Sequence, residues 1–267
     1  IESAITPRTR VIVPVHYGGV ACAMNEILEF AETHGLTVVE DAAHGILASY
    51  KGRFLGTLGN IGVLSFHETK NIVSGRGGAL LLNDEGLVER AAIALENGTD
   101  RLSFLQGRVE EYSWQDVGSA FGMSEITASL LFAQLEAAAL ITEKRRRLFF
   151  RYREQLEPLA ARGVVRVPYV PDGVVCNGHI FFVITRDREQ RTRLIEYLRG
   201  NGVTAASHYV PLHLSKAGRR FGRVSGRLQV TEEIVPGLVR LPLYPDMEEQ
   251  DVDKVIDLMT AFYATSV

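Results

Sequence analysis

Two stretches decide the fold: Val38-Val39-Glu40-Asp41-Ala42-Ala43-His44, and Ser65-Phe66-His67-Glu68-Thr69-Lys70-Asn71. Each is the end of an apolar, β-branched run that gives way to polar residues. The first leaves an aspartate at its carboxyl end, and the second leads into a lysine in a small polar turn. In an open α/β sheet, ligands collect beyond the carboxyl ends of the strands. Both residues therefore fall where such a sheet does its chemistry.

Working outward, Val11-Ile12-Val13-Pro14-Val15 reads as a buried strand. A helix follows, capped by Asn25 and closed at Gly35, with Ile27, Leu28, Phe30 and Ala31 on its apolar side. The strand 36–40 comes next, and a strand–helix–strand order of this kind predicts parallel pairing with a helical crossover. Strands over 61–66 and 79–82 continue the series, and Lys70, Gly75, Gly77 and Gly78 lie between them. A helix is expected over 85–96.

The texture then changes. From Ser124 to Glu157 there is neither Gly nor Pro, and Ile126, Leu130, Ala133, Ala137 and Leu140 recur at spacings of four and three. This predicts one helix of roughly 50 Å at about 1.5 Å per residue. A helix of that length links two bodies, so a domain boundary is expected within it, near Ala139, dividing 1–139 from 140–267. Beyond it come a strand (180–185), a helix (188–199), a strand (203–209) and a last helix from about Met247, where Asp246 and Glu249 have the spacing of a capping box.

The 267 residues, 46% hydrophobic and 23% charged, are ordinary globular composition. A net charge of −3 gives no electrostatic case for nucleic acid or an anionic membrane, and no apolar run is long enough to span a bilayer. Two cysteines, Cys22 and Cys176, are too few for a disulfide scaffold. They point to a reducing compartment, the cytoplasm. The histidines form neither His-Glu-x-x-His nor a partnership with Cys-x-x-Cys, so no metal is expected. Gly56, Gly59 and Gly62 recur without the Gly-Lys-Ser/Thr of a phosphate loop and read as turns. The basic run 144–147 reads as a solvated helix face.

Alone, Asp41 serves equally as a helix cap or a ligand carboxylate, and a lone Lys70 reads as a solvated turn residue. Together they match the needs of pyridoxal phosphate chemistry. That chemistry takes a lysine amine to hold the cofactor and a carboxylate to keep its ring nitrogen protonated. Ser65 adds a hydroxyl for a phosphate, and the glycines from Gly75 to Gly78 would let backbone approach a ligand.

The wording as a whole resembles the sugar-nucleotide aminotransferases of the DegT/DnrJ/EryC1/StrS type. The resemblance runs through His16-Tyr17-Gly18-Gly19, Glu40-Asp41-Ala42-Ala43-His44-Gly45, Ser65 to Asn71, Gly77-Gly78-Ala79, Met123-Ser124-Glu125-Ile126, His208-Tyr209-Val210-Pro211-Leu212-His213 and Arg240-Leu241-Pro242-Leu243. His67-Glu68-Thr69-Lys70-Asn71 is most similar to the dTDP-4-amino-4,6-dideoxygalactose transaminase branch. The resemblance implies the type I aspartate aminotransferase-like α/β fold, with a mostly parallel sheet in a large domain and a smaller α+β C-terminal domain.

It further implies pyridoxal 5'-phosphate linked to Lys70, Asp41 at the ring nitrogen, Ala43 against the ring, His44 near the ring hydroxyl and Ser65 on the phosphate. His208, Tyr209 and His213 are placed near the sugar nucleotide. The implied reaction is amination of a 4-oxo-6-deoxy sugar nucleotide with L-glutamate as donor, in a homodimer. The alternatives are another oxo sugar nucleotide, or a non-catalytic piece serving oligomerisation. Lysine rather than histidine at position 70 favours transamination over the related dehydratase branch. Members of the family carry a further segment before the position of Ile1, supplying phosphate and ring contacts. Ala120 stands where many have a partner-donated Asn, and Arg76 where an acidic residue is expected.

Overall fold

The computed structural model describes residues 1–264. The chain separates into two compact units. One comprises Val11–Tyr17 and Ala21–Ala139; the other comprises Ile1–Arg10, Gly18–Val20 and the chain from Leu140.

In the first unit the strands are β1 (Val11–Ile12), β2 (Thr37–Asp41), the short β3 (Ser49–Tyr50) and β4 (Arg53–Phe54), β5 (Ile61–Ser65) and β6 (Gly78–Leu82). The main sheet has the order β1-β2-β5-β6. β1 pairs parallel with β2, and β2 parallel with β5, setting Asp41 opposite Val63. β6 returns antiparallel on β5, with Ser65 opposite Gly78. Helix α1 (Met24–Thr33) is the crossover from β1 to β2. Its N-cap is Ala23, with no side-chain cap, so Asn25 lies inside the helix instead of capping it. The expected strand over 11–15 is paired at Val11 and Ile12 and again at an isolated bridge from Val15 to Asp41. Pro14 lacks the amide that a continuous ladder needs.

A 3-10 turn at Glu85–Leu87, capped by Asp84, leads into α2 (Val88–Leu95) and α3 (Arg101–Leu105). The long helix expected from Ser124 is two helices, α4 (Glu125–Glu136) and α5 (Ala138–Gln155), broken at Ala137. Ser124 caps the first through the Thr127 amide at 3.3 Å. No helix-breaking residue stands at the break.

The second unit adds α6 (Glu157–Ala161), β7 (Val174–Val175), β8 (Phe181–Ile184), α7 (Arg188–Gly200), β9 (Ala206–Ser207), α8 (Lys216–Phe221), α9 (Gln229–Ile234), β10 (Leu238–Leu241) and α10 (Glu249–Ala264). Its antiparallel sheet has the order β8-β10-β9. Phe149, Tyr152, Phe181, Leu194, Leu198, Val239 and Met259 meet in one buried cluster drawn from α5, α7, α10 and the sheet. The Tyr152 and Phe181 rings stack at 4.9 Å. Arg145 is buried beside this core and donates to the carbonyls of Gly178, His179 and Leu243 at 2.7–3.1 Å. Burial without a carboxylate partner pushes its proton affinity down to about 10. The first residues join this unit through local bonds: Arg223 donates to the Ala4 carbonyl at 2.9 Å and Ser225 to that of Ser3 at 2.8 Å. The box at the start of α10 is not Asp246 with Glu249. The Asp251 carboxylate accepts from the Glu248 amide at 2.9 Å, shifting the helix start by two residues.

Candidate active site

Side chains alternate across a strand, so β2 has two faces. Val38 and Glu40 point to a covered side, and Val39 and Asp41 to the other, which is only partly buried. Because Asp41 sits opposite Val63, Ser65 two residues on shares the Asp41 face. Asp41 does not cap a helix. Its Oδ1 accepts from the Ala43 amide at 3.1 Å and turns the chain out of the sheet. Its backbone is fixed on both sides, the amide donating to the Pro14 carbonyl at 2.9 Å and the carbonyl accepting from the His16 amide at 3.0 Å.

Lys70 lies in the loop joining the antiparallel strands β5 and β6. That loop is closed by three bonds, from Phe66 to Gly77, Ser74 to Phe66 and Glu68 to Gly75. Asn71 and Ile72, directly after the lysine, are buried. The amine is thus carried on an anchored segment. Burial depresses its proton affinity below the ordinary lysine range, and the Asp41 charge pulls it part of the way back. The Asp41 carboxylate is therefore close enough to act on the Lys70 amine. Ser65 Oγ accepts from the His67 amide at 3.4 Å. The His44 ring stands edge-on to Tyr17 at 5.0 Å.

The glycines after Lys70 also have a role within the loop itself. Gly75 has a φ of +82° that a side chain would strain. A Cβ at Gly77 would strike Met123 and the Ser74 hydroxyl, and one at Gly78 the Leu64 carbonyl. Gly75 turns the loop, and Gly77 and Gly78 let it pack closely. Arg76 between them is exposed, and Ala120 forms an isolated bridge with Glu96.

His208, Tyr209 and His213 belong to the second unit, in and beside the segment after β9. The rings of His208 and Tyr209 tilt together at 5.1 Å. Burial and the Arg240 charge both hold His208 below the usual imidazole range. Tyr209 is exposed, and His213 Nε2 lies 3.3 Å from Glu232.

The residue that sequence reasoning passed over is His16. It is wholly buried, as is Glu40, and its Nε2 meets Glu40 Oε2 at 2.8 Å. The same carboxylate accepts from the amides of Gly56, Leu58 and Gly59 at 2.6–2.9 Å. Burial alone would raise Glu40's proton affinity, but the His16 ring and these three amides outweigh it and hold it low. For His16, burial opposes protonation while the Cys22 thiol and Glu40 favour it, to about 9 on balance. Against that, the Cys22 amide donates to Nδ1 at 3.2 Å, where a second ring proton would confront an N–H. The amide decides for the neutral ring with its proton on Nε2, donated to Glu40. The only hint in the sequence was the shared wording around both residues.

A two-unit α/β chain with a partly buried lysine and an aspartate at the carboxyl edge of a mostly parallel sheet defines a class, the type I pyridoxal phosphate enzymes. The donor set fits that cofactor: an amine of lowered basicity, a carboxylate within its field, and a strand-end hydroxyl on the same face. Comparison with known proteins narrows the class. The profile of the DegT/DnrJ/EryC1/StrS aminotransferase family matches residues 1–260, and the chain belongs to that family of pyridoxal phosphate-dependent sugar aminotransferases. The uncharacterized protein MJ1066 of Methanocaldococcus jannaschii is 35% identical over 96% of this chain and 68% of its own. The spore coat polysaccharide biosynthesis protein SpsC of Bacillus subtilis is 29% identical over 96% of this chain and 67% of its own. The crystal structure of the aminotransferase TlmJ from Streptoalloteichus hindustanus superposes with a TM-score of 0.86 at 29% identity, over 99% of this chain and 68% of that one. The chain thus spans about two thirds of the length of these relatives.

Proposed function

We propose that this chain serves the transfer of an amino group from L-glutamate to a 4-oxo-6-deoxy sugar nucleotide of the dTDP-4-oxo-6-deoxy-D-glucose type. One observation carries the reading: Asp41 and Ser65 end neighbouring parallel strands on the same face, and the half-buried Lys70 follows on the anchored loop after Ser65, with Asp41 close enough to raise its proton affinity. A sugar substrate agrees with the polysaccharide role named for the Bacillus relative. The 4-oxo position and the nucleotide follow from the wording around Lys70, which is similar to the dTDP-4-amino-4,6-dideoxygalactose branch.

Pyridoxal phosphate, when bound, supplies an aldehyde that a lysine amine can hold and a protonated ring that withdraws electrons. Lys70 Nζ is the residue to hold it. Nζ, once free of that hold, would be the base that takes the α-proton of the donor amino acid and the acid that returns it. Lowered basicity raises the fraction of neutral amine available for this at neutral pH. Asp41, its Oδ1 oriented by the Ala43 amide, would keep the cofactor's ring nitrogen protonated. Ser65 would offer its hydroxyl to the cofactor's phosphate, and His44 its ring nitrogen to the cofactor's hydroxyl. In the second unit His208, Tyr209 and His213 offer ring and hydroxyl groups for the sugar nucleotide.

A homodimer is part of the proposal. No residue of α4 is buried, although it carries Ile126, Leu130, Phe132 and Leu135, and Trp114, Val117 and Phe121 just before it are also exposed. A helix apolar all round needs cover, and a second copy supplies it.

The test is Lys70→Ala in the full-length protein, with 2-oxoglutarate release as the readout. Loss of a positioned base and of the cofactor's anchor should lower the rate by at least ~10²–10⁴-fold. Turnover near the wild-type rate would refute the assignment.

A further inference from the structure

We infer that His16 and Glu40 are positioning residues for Asp41, forming a buried clamp that sets where its carboxylate stands; this rests on the reading of Asp41 given above. Three observations carry the inference. First, Glu40 is the immediate neighbour of Asp41 on β2 and projects from the opposite face, so any rotation or slide of one residue moves the other. Second, the Glu40 carboxylate is held at four points, by His16 Nε2 at 2.8 Å and by the amides of Gly56, Leu58 and Gly59. Third, the segment carrying His16 holds the Asp41 backbone directly, through the Pro14 carbonyl and the His16 amide. The side-chain pair and the backbone pair tie the same two segments together, one across each residue of the Glu40-Asp41 step.

The glycine series fits this device. Gly56 has a φ of +92°, and a Cβ at Gly59 would lie 2.8 Å from the Val38 carbonyl. At Gly62 a Cβ would run into the Gly56 backbone. Bare backbone is what lets the loop 56–59 close on β2 and aim its amides at Glu40. Asn83 braces the loop from behind, donating to the carbonyls of Gly56 and Gly59 at 3.0 and 2.9 Å. A carboxylate buried next to the functional aspartate is thereby saturated with donors. It stays charged and immobile, and does not compete for the proton of the ring nitrogen.

A merely structural pair would contribute stability alone. A positioning pair must also be read at the cofactor. The experiment compares full-length wild type, His16→Ala, His16→Gln and Glu40→Gln for three quantities: melting temperature, apparent Kd for pyridoxal phosphate, and the pH midpoint of the visible absorption of the lysine-linked cofactor. His16→Ala should weaken cofactor binding roughly 10–100-fold, the range for losing a supporting partner of a ligand-holding group, and should move the pH midpoint. His16→Gln keeps a donor for Glu40 and should recover most of both. Glu40→Gln places an NH2 group against backbone N–H groups and should resemble His16→Ala, so the test survives if His16→Ala does not fold. Variants with lowered melting temperature but wild-type Kd and midpoint would overturn the positioning role while leaving the function of Lys70 intact. A wild-type protein that gives no visible absorption with the cofactor would overturn the reading of Lys70, and this inference with it.

Discussion

The two units of this chain are stabilised in contrasting ways. The second is built around one apolar cluster, in which Phe149, Tyr152 and Phe181 pack with the leucines of α7 and the inner face of α10. The first buries a histidine–glutamate pair at its centre and leaves much apolar surface open, including Val13, Leu80, Phe121, Ile126 and Phe132. The unit carrying the candidate site adds directional polar contacts to a smaller set of buried apolar side chains, Met24, Val38, Leu55, Phe66 and Ile72 among them. Those contacts fix orientation as well as distance, at the cost of sensitivity to pH and to single-atom changes. The second unit supplies a core of its own, which carries the partly buried His208 and the exposed Tyr209.

The contrast is broken most severely by emptying the second core. Phe181→Ala removes a ring that touches both Phe149 and Tyr152, and should cost about 3–5 kcal/mol in denaturant unfolding. A loss below about 1 kcal/mol would mean the cluster is not the source of stability. Acid sharpens the other side. Glu40 has its proton affinity held below the ordinary 4.5 in the folded state. Its contribution to stability is therefore fully present above that pH and drains away as pH falls through the depressed value. Glu40→Gln should flatten the acid limb of the stability–pH curve below 4.5, whereas Phe181→Ala should lower the whole curve without changing its slope.

A smaller effect on folding is expected at α4. Ile126→Glu touches a side chain that is 85% exposed and should change the stability of the isolated fold by no more than about 0.5 kcal/mol. Its readout is mass by light scattering, which should fall from dimer to monomer. An unchanged mass would show that this surface is covered by something other than a second copy. The finest test is electrostatic. Asp41→Asn removes the charge that raises Lys70's proton affinity, so the pH at which the amine becomes reactive towards an acylating reagent should move lower still. An unchanged pH would place the two groups outside each other's field.

Much of the fold was legible because it is written locally. β2 and β5 are β-branched runs ending at Asp41 and Ser65, and the parallel pairing of β1 with β2 follows from the helix between them. What was not legible depends on distance or on packing. His16 and Glu40 are 24 residues apart, and nothing in either short stretch announces that they meet. The three glycines at 56, 59 and 62 read as turns because the carboxylate they serve lies on another strand. The break at Ala137 has no proline or glycine to mark it, so a continuous apolar periodicity concealed two helices. Asp251 rather than Glu249 closes the start of α10, a shift of the order by which helix ends escape local rules.

The central claim, that the side chain at position 70 holds the cofactor, is tested most directly by chemistry. The full-length protein incubated with pyridoxal phosphate is reduced with borohydride, digested and analysed by mass spectrometry. The account predicts the pyridoxyl adduct on the peptide containing Lys70 and its absence in Lys70→Ala. An adduct on Lys51, Lys144, Lys216 or Lys254 instead, or none at all, would contradict it.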